Sequence, residues 1–518
     1  MKRMILAVVV AATLFSFDPL QADVKLSGVF GDHMVLQQEL PIRLFGWADT
    51  GEKITAEMSG KTATAVAGDD GYFRVELPAM KADGKPHTLT VKGKNTVTLN
   101  DVLLGEVWIC SGQSNMEWTV NGSMNPKQEI AAANHPMIRL FNVPGHVQGP
   151  TPGTDPRGKW EICSPQTVPG FSAVGYYFGR KLQQELKVPI GLVGTNWGGT
   201  RIEPWTPPVG FKQVPSLGDY VASVNGADPR SDEGKQKRRD YLNGVENWLK
   251  QARANAESGK AFGDPPRGNF APKGGATYIY NGMVHALTPL SARGAIWYQG
   301  ESNAGDGLRY NYLKEALVRG WRSVFENDDL SFYWVQLANF QNPSDDPAGG
   351  GWGPVREGQR RALRLPGTGM AVIIDIGEAR DIHPRNKQDV GARLALWALA
   401  KDYGKQIVPS GPLYKSMKVE GNKIRVLFDY AGSGLMAGKK EGLDPTREVA
   451  GAELTHFSIQ DGQGKWHWAK ARIDGDSVVV WADGVDKPQH VRLGYQSNPV
   501  GFNLYNREGL PASPFTTD

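Results

Sequence analysis

From residue 106 to residue 404 short apolar runs alternate with helix-length amphipathic segments, and few folds accept that order. EVWIC (106–110), IRLFNV (138–143), IGLVGTN (190–196), GAIWYQG (294–300), FYWVQLA (332–338) and MAVIIDI (370–376) read as strands covered on both faces. Between them lie SAVGYYFGRKLQQELK, LRYNYLKEALVRGWRSVFE, VREGQRRALRL and QDVGARLALWALAKDYG. In the first of these Val174, Phe178, Leu182 and Leu186 recur every fourth residue; in the second Leu313, Leu317 and Trp321 do so. Such stripes face a core. Strands alternating with helices predict right-handed crossovers and a largely parallel sheet, with functional residues at the carboxyl ends of its strands.

The flanks have a different texture. Residues 23–100 carry short alternating runs (IRLFGW, KITAEMSG, YFRVELP, HTLTVKG) between Gly/Asp turn signals, which predicts a small β-sandwich. From 406 to 518 the chain is β again, as in KIRVLFDYA, SVVVWADG and HVRLGYQ. Residues 101–405 form the alternating unit, interrupted at 206–280 by Gly/Pro-rich loops and a charged segment. In that segment Tyr241, Leu242, Val245, Trp248 and Leu249 make one apolar stripe, so an inserted amphipathic helix is expected.

Residues 1–22 have the form of a secretory signal: Lys2 and Arg3, an apolar stretch over 4–17, and a cleavage point after Ala22. The stretch is too short to span a bilayer comfortably. An exported chain without a membrane anchor after cleavage is therefore expected, periplasmic or extracellular. A net charge of +4 on 518 residues, with no long Lys/Arg cluster, argues against a nucleic-acid partner. The two cysteines, Cys110 and Cys163, can form a disulfide in an exported protein or stay as separate buried thiols, and they do not make a metal site.

Ser114, in WICSGQSNMEW, follows the strand 106–110 at the carboxyl edge of the sheet. A serine hydroxyl becomes a nucleophile only when a base takes its proton, and the base must itself be oriented. Among nine histidines His383 stands out: it follows the strand 370–376, within RDIHPRNKQ. Asp381 shares its face if the segment is extended; Asp375, at the strand end, is the rival acid. Acyl transfer also needs donors for an oxyanion. GTNWGGTRIEPW (194–205) and WYQGESNA (297–304) offer glycines and amides past two further strand ends.

GQSNMEW, GGTRIEPW, WYQGESN and DIHPRNKQDVG, in this order, resemble the sialate O-acetylesterase family of the SGNH-hydrolase superfamily. The likeness covers nearly all of the mature chain. It implies an α/β fold with an SGNH-type three-layer α/β/α unit and a mainly parallel sheet, flanked by sandwich- or jelly-roll-like β regions. It implies a cofactor-free serine esterase that removes O-acetyl groups from sugars, with an acetylated glycan as its partner. By the same resemblance Ser114 is the nucleophile, His383 the base and then acid, and Asp381 its orienting partner. The N–H groups of Ser114 and Gly199 line the oxyanion hole. Gln299 stands where the wider superfamily has asparagine, as third donor unless a nearby N–H serves. The superfamily acid lies three residues before the histidine; here Arg380 holds that position and the carboxylate comes at minus two.

Arg201, Glu301 and Trp197 are the expected substrate-binding residues. Two roles are open to Arg201: binding a substrate carboxylate, as sialic acid would require, or pairing with Glu203 or Glu301. His285 is either a satisfied core histidine or a cleft residue. Trp197, Trp205 and Trp297 are placed for stacking on a sugar or for packing in the core. O-acetylated sialic acid and acetylated xylan both suit the pattern as substrates. A non-catalytic glycan-binding protein with a relic hydrolase domain is the competing reading, and a peptidase or lipase is disfavoured because no G-x-S-x-G elbow occurs.

Overall fold

The computed structural model describes residues 23–270 and 273–518, so the leader expected over 1–22 lies outside the described residues. One strand organises the molecule. Thr96–Gly112 alternates between exposed and half-buried positions over its first six residues and is buried over the next eleven. The sequence accounts for the change: TVTLND alternates in polarity, whereas VLLGEVWICSG is nearly all apolar or small. The first part pairs with His87–Lys92 in an antiparallel β region. The second part lies between Ile190–Asn196 and Gly294–Tyr298, parallel to both.

The central sheet runs in the order Trp160–Cys163, His135–Asn142, Ile190–Asn196, Thr96–Gly112, Gly294–Tyr298, Ser331–Val335, Thr368–Ala371. Its neighbours are parallel except at Trp160–Cys163, which is antiparallel to His135–Asn142. Helices cover both faces. On one, Trp108 meets Phe178 of the helix Ala173–Leu186, with ring centroids 5.0 Å apart. Trp297, in register with Ser111, points to the other face and meets Trp321 of the helix Tyr310–Val324. The fold is thus mixed α/β, with a mainly parallel sheet and separate all-β sheets before and after it.

At the N-terminal side Lys25–Leu26, Ile42–Trp47 and Tyr72–Leu77 form one antiparallel sheet, and Lys61–Val66, Lys53–Met58 and His87–Lys92 join Thr96–Gly112 in another. Glu106 fastens this region to the central sheet. Its buried carboxylate takes Arg293 Nε at 2.8 Å, Gln37 Nε2 at 3.0 Å and Gln38 Nε2 at 2.8 Å. On the other side, Leu413–Glu420, Lys423–Asp429, Ser477–Trp481 and Lys470–Asp474 form an antiparallel sheet, accompanied by a three-stranded and a second four-stranded one. Arg356, fully buried on the helix Gly353–Arg361, joins them to the centre. Its guanidinium donates to the carbonyls of Leu337, Ala338, Gln496 and Ser497.

Three of the expected strands end early. The strands expected over 294–300, 332–338 and 370–376 end at Tyr298, Val335 and Ala371. Beyond those points side chains take over the backbone groups: Gln359 Oε1 accepts from Leu337 N–H, and Arg393 donates to Val372 O. The insertion does hold a helix, Asp232–Glu257, capped by Ser231 Oγ accepting from Gly234 N–H. Its apolar stripe does not face the core: Leu242 and Leu249 are exposed, and Tyr241 and Trp248 contact Phe270 and Phe262 of the following loop. Cys110 and Cys163 are separate buried thiols, and burial pushes the Cys163 thiol up to about 12.

Removing Arg356 leaves the buried carbonyls of Leu337, Ala338 and Gln496 without their donor, while Ser497 O keeps the Phe340 N–H; each unsatisfied carbonyl costs about 1–3 kcal/mol. Arg356→Leu is expected to lower stability by about 3 kcal/mol or more, read as a shift in the urea midpoint.

Candidate active site

The strand Thr96–Gly112 ends where its backbone can go no further. Gly112 has φ +144°, and a Cβ there would lie 2.2 Å from Tyr298 O on the neighbouring strand, so only glycine fits. The chain turns out of the sheet and begins the short helix Ser114–Glu117, with the half-buried Ser114 as its first residue. The Ser114 N–H has no hydrogen-bond partner among the described residues.

His383 arrives from the loop after the sheet's last strand, and its Nε2 lies 2.9 Å from Ser114 Oγ. That is hydrogen-bond distance for a base and the proton it removes. Trp118 stacks on the imidazole at 4.9 Å and 15°. Asp381 is reached through a bend rather than an extended run: its Oδ1 accepts the His383 backbone N–H at 2.9 Å and lies 3.5 Å from His383 Nδ1. The carboxylate thus holds the loop first and the ring at longer range. Asp375 is committed elsewhere, gripped at both oxygens by Arg393 at 2.6 and 2.9 Å.

On the other side of Ser114 the strand Ile190–Asn196 ends in a turn tied to the strand that precedes Ser114 by Trp197 N–H donating to Gly112 O at 3.0 Å. Gly198 N–H is taken by Glu117 Oε2 at 2.6 Å. The next residue, Gly199, has φ +70° and is exposed, and its N–H has no partner among the described residues. Gln299 does not reach this position. It is fully buried, its Nε2 donates to Thr200 O and Asn303 Oδ1, and its Oε1 accepts from Tyr310 OH. A tightly packed amide with these partners supports the Gly199–Thr200 turn from below and has no N–H left for a ligand.

Arg201 is ion-paired to Glu203 at 2.7 Å and Asp306 at 2.6 Å and also donates to Ser302 O. Glu301 lies beneath the dyad, where its Oε1 accepts from Asn115 and its Oε2 is buried. Trp197 stacks on His146 at 4.7 Å and 8°, and His146 Nε2 lies 2.8 Å from Glu117 Oε1. Trp205 and Trp297 are core residues. His285 bonds Gly153 O through Nδ1.

Two cavities flank the dyad. One, of about 340 Å³, is lined by Trp197, Gly198, Gly199, Thr200, Arg201 and Lys273. The other, of about 520 Å³, is lined by Trp118, Asn121, Met124, Asn125 and Arg385. Arg385 has its backbone fixed by Glu378, Met124 and Lys387, while its guanidinium has no partner among the described residues. No cluster of His, Cys, Asp and Glu among the described residues is arranged to hold a metal ion. The sequence reading passed over Asn115, Glu117, Trp118, Asn303 and Lys387, although all five stand inside the motifs that it quoted.

A family model described as carbohydrate esterase, sialic acid-specific acetylesterase, matches residues 104–227. The chain is similar to the sialate O-acetylesterase of Rattus norvegicus, 30% identical over 450 residues, covering 76% of this chain and 77% of that one. It is likewise similar to that of Homo sapiens, 29% identical over 444 residues, covering 77% and 75%. Among solved structures it resembles XAC1771 of Xanthomonas citri, described as a novel carbohydrate acetylesterase: 35% identity, TM-score 0.78, covering 96% of this chain and 100% of that one.

Burial, then the Lys387 cation, hold the His383 pKa below its usual 6.5, against the opposing pull of Asp381. A base must be neutral to accept the serine proton, so activity is lost as pH falls through that lowered value. A reaction that uses this dyad should show an acid-limb midpoint below pH 6.5 in a pH–rate profile of kcat/KM.

Proposed function

Because the chain belongs to the sialate O-acetylesterase family, and is therefore a carboxylic ester hydrolase of the carbohydrate-acetylesterase type, we propose that it deacetylates glycans through an acyl-enzyme formed on Ser114. The observation that carries this reading is the 2.9 Å contact between Ser114 Oγ and His383 Nε2 at the mouth of two cavities. His383 takes the hydroxyl proton as Oγ attacks the acetyl carbonyl, then gives it to the departing sugar oxygen. Water deprotonated by the same imidazole then releases acetate and restores the serine. Asp381 steadies the loop and the charged imidazole. We assign the oxyanion to the N–H groups of Ser114 and Gly199, with Gln299 acting through the turn it supports.

We read the central unit as an SGNH-type three-layer domain, about 101–405, between β regions at 23–100 and 406–518, and the chain as exported. No helix among the described residues is long and apolar enough to cross a membrane. The glycan lies across the dyad between the two cavities, near Trp197 and Trp118. With Arg201 held by two carboxylates, Arg385 in one cavity and Lys273 in the other are left to meet an acidic sugar. O-acetylated sialic acid is the proposed substrate.

Purified protein should release acetate from O-acetylated sialic acid faster than from acetylated xylo-oligosaccharides; the reverse order would assign it to plant polysaccharide. Ser114→Ala should cut kcat by at least about 10³-fold with an unchanged melting curve, and undiminished turnover would refute the mechanism. Asp381→Ala should cost roughly 10- to 100-fold, less than the ~10⁴ seen where the acid is buried against the ring.

A further inference from the structure

Directly beneath the dyad lies a buried polar chain that this mechanism does not use. Lys387 is wholly buried, and its Nζ donates to Asn115 Oδ1 at 2.5 Å. Asn115 in turn donates to Glu301 Oε1 at 2.5 Å and to Ile382 O at 3.0 Å. Asn115 is the residue after Ser114, and Ile382 the residue before His383. One side-chain amide therefore clamps the strand end that carries the nucleophile to the loop that carries the base.

The placement of Lys387 runs against two ordinary preferences. It is the first residue of the helix Lys387–Lys401, where the dipole disfavours a cation. It is also buried, where an ammonium is costly. The rings of Tyr298 and Trp118 lie 5.2 and 6.0 Å from its Nζ, and the carboxylates that act on it are Glu301, Asp381 and Glu378. The charged groups acting on His383 are Lys387 and Asp381. Burial brings the Lys387 pKa down to about 7 and raises that of Glu301.

We propose that Lys387, Asn115 and Glu301 form a buried relay of positioning residues that fixes the spacing of Ser114 and His383 and sets the charge felt by the imidazole. None of the three touches substrate in this scheme. The proposal rests on the Ser114–His383 reading above.

Charge and position can be separated by two substitutions. Lys387→Met removes a cation beside His383, so the imidazolium is stabilised and the acid limb of kcat/KM should move to higher pH by roughly half a unit or more. Glu301→Gln removes the carboxylate that favours the charged lysine, so Lys387 gives up its proton more readily and the limb should again move to higher pH, by less than in Lys387→Met. In both, kcat should fall roughly 10- to 100-fold, as for a misplaced reacting pair, with KM within about twofold.

p-Nitrophenyl acetate serves as substrate, with wild type and Ser114→Ala run alongside. An active Ser114→Ala protein would refute the nucleophile assignment itself. An inactive Ser114→Ala protein with limbs that stay fixed, or that move to lower pH, in the two variants would overturn the relay alone. If Lys387→Met fails to give a native melting curve, Glu301→Gln decides: an upward limb supports the relay, and an unmoved or downward limb overturns it.

Discussion

The contact between Gly112 and Tyr298 is the constraint on which the site depends. A parallel sheet brings its strands to a common edge, but a strand that simply continued would keep Ser114 in the ladder. The Tyr298 carbonyl fills the space where a Cβ at 112 would go, and the glycine takes a φ that other residues avoid. The chain therefore leaves the sheet at that point and starts a new helix with Ser114 at its head. The neighbouring turn is bound to the same glycine through the Trp197 N–H. Ser114 and the Gly199 turn thus share one support, which ties their relative positions to the backbone.

Around that support the charged groups divide into those that hold structure and those left free. Arg293 with Glu106, Arg393 with Asp375, and Arg201 with Glu203 and Asp306 are pairs that fix loops and regions. Arg356 does the same work with carbonyls in place of a carboxylate, which suits a planar donor with five N–H groups. The guanidinium of Arg385, without a partner among the described residues, lies in the cavity beside Trp118.

The central architecture was legible because long periodic stretches leave little choice: Val174, Phe178 and Leu182 are buried on one helix, and Leu313, Leu317 and Trp321 on another. Ser114 and His383 were legible because each follows a strand, and the structure brings them together. What escaped were effects that need a partner from far along the chain. Gln299 and Glu301 stand in a motif that predicts a role at the site, but Tyr310, Asn303 and Asn115 draw both side chains inward. Lys387 looks like an ordinary first-turn residue until residue 115 is folded against it. The stripe on Asp232–Glu257 has the period of a core-facing helix, yet periodicity cannot say whether a core lies within reach; here loop aromatics cover only part of it.

The strand Thr96–Gly112 also bears on how such a chain can be altered over evolutionary time. Multidomain proteins commonly exchange modules at linkers, where few contacts cross. Here the passage from the N-terminal β region to the central sheet is a single unbroken strand, with Glu106 of that strand bound to Gln37 and Gln38 on one side and Arg293 on the other. A recombination breakpoint between 96 and 112 would sever two sheets at once and separate a buried carboxylate from its partners. An exchange that kept both sheets intact would have to carry the N-terminal β region together with Ser114.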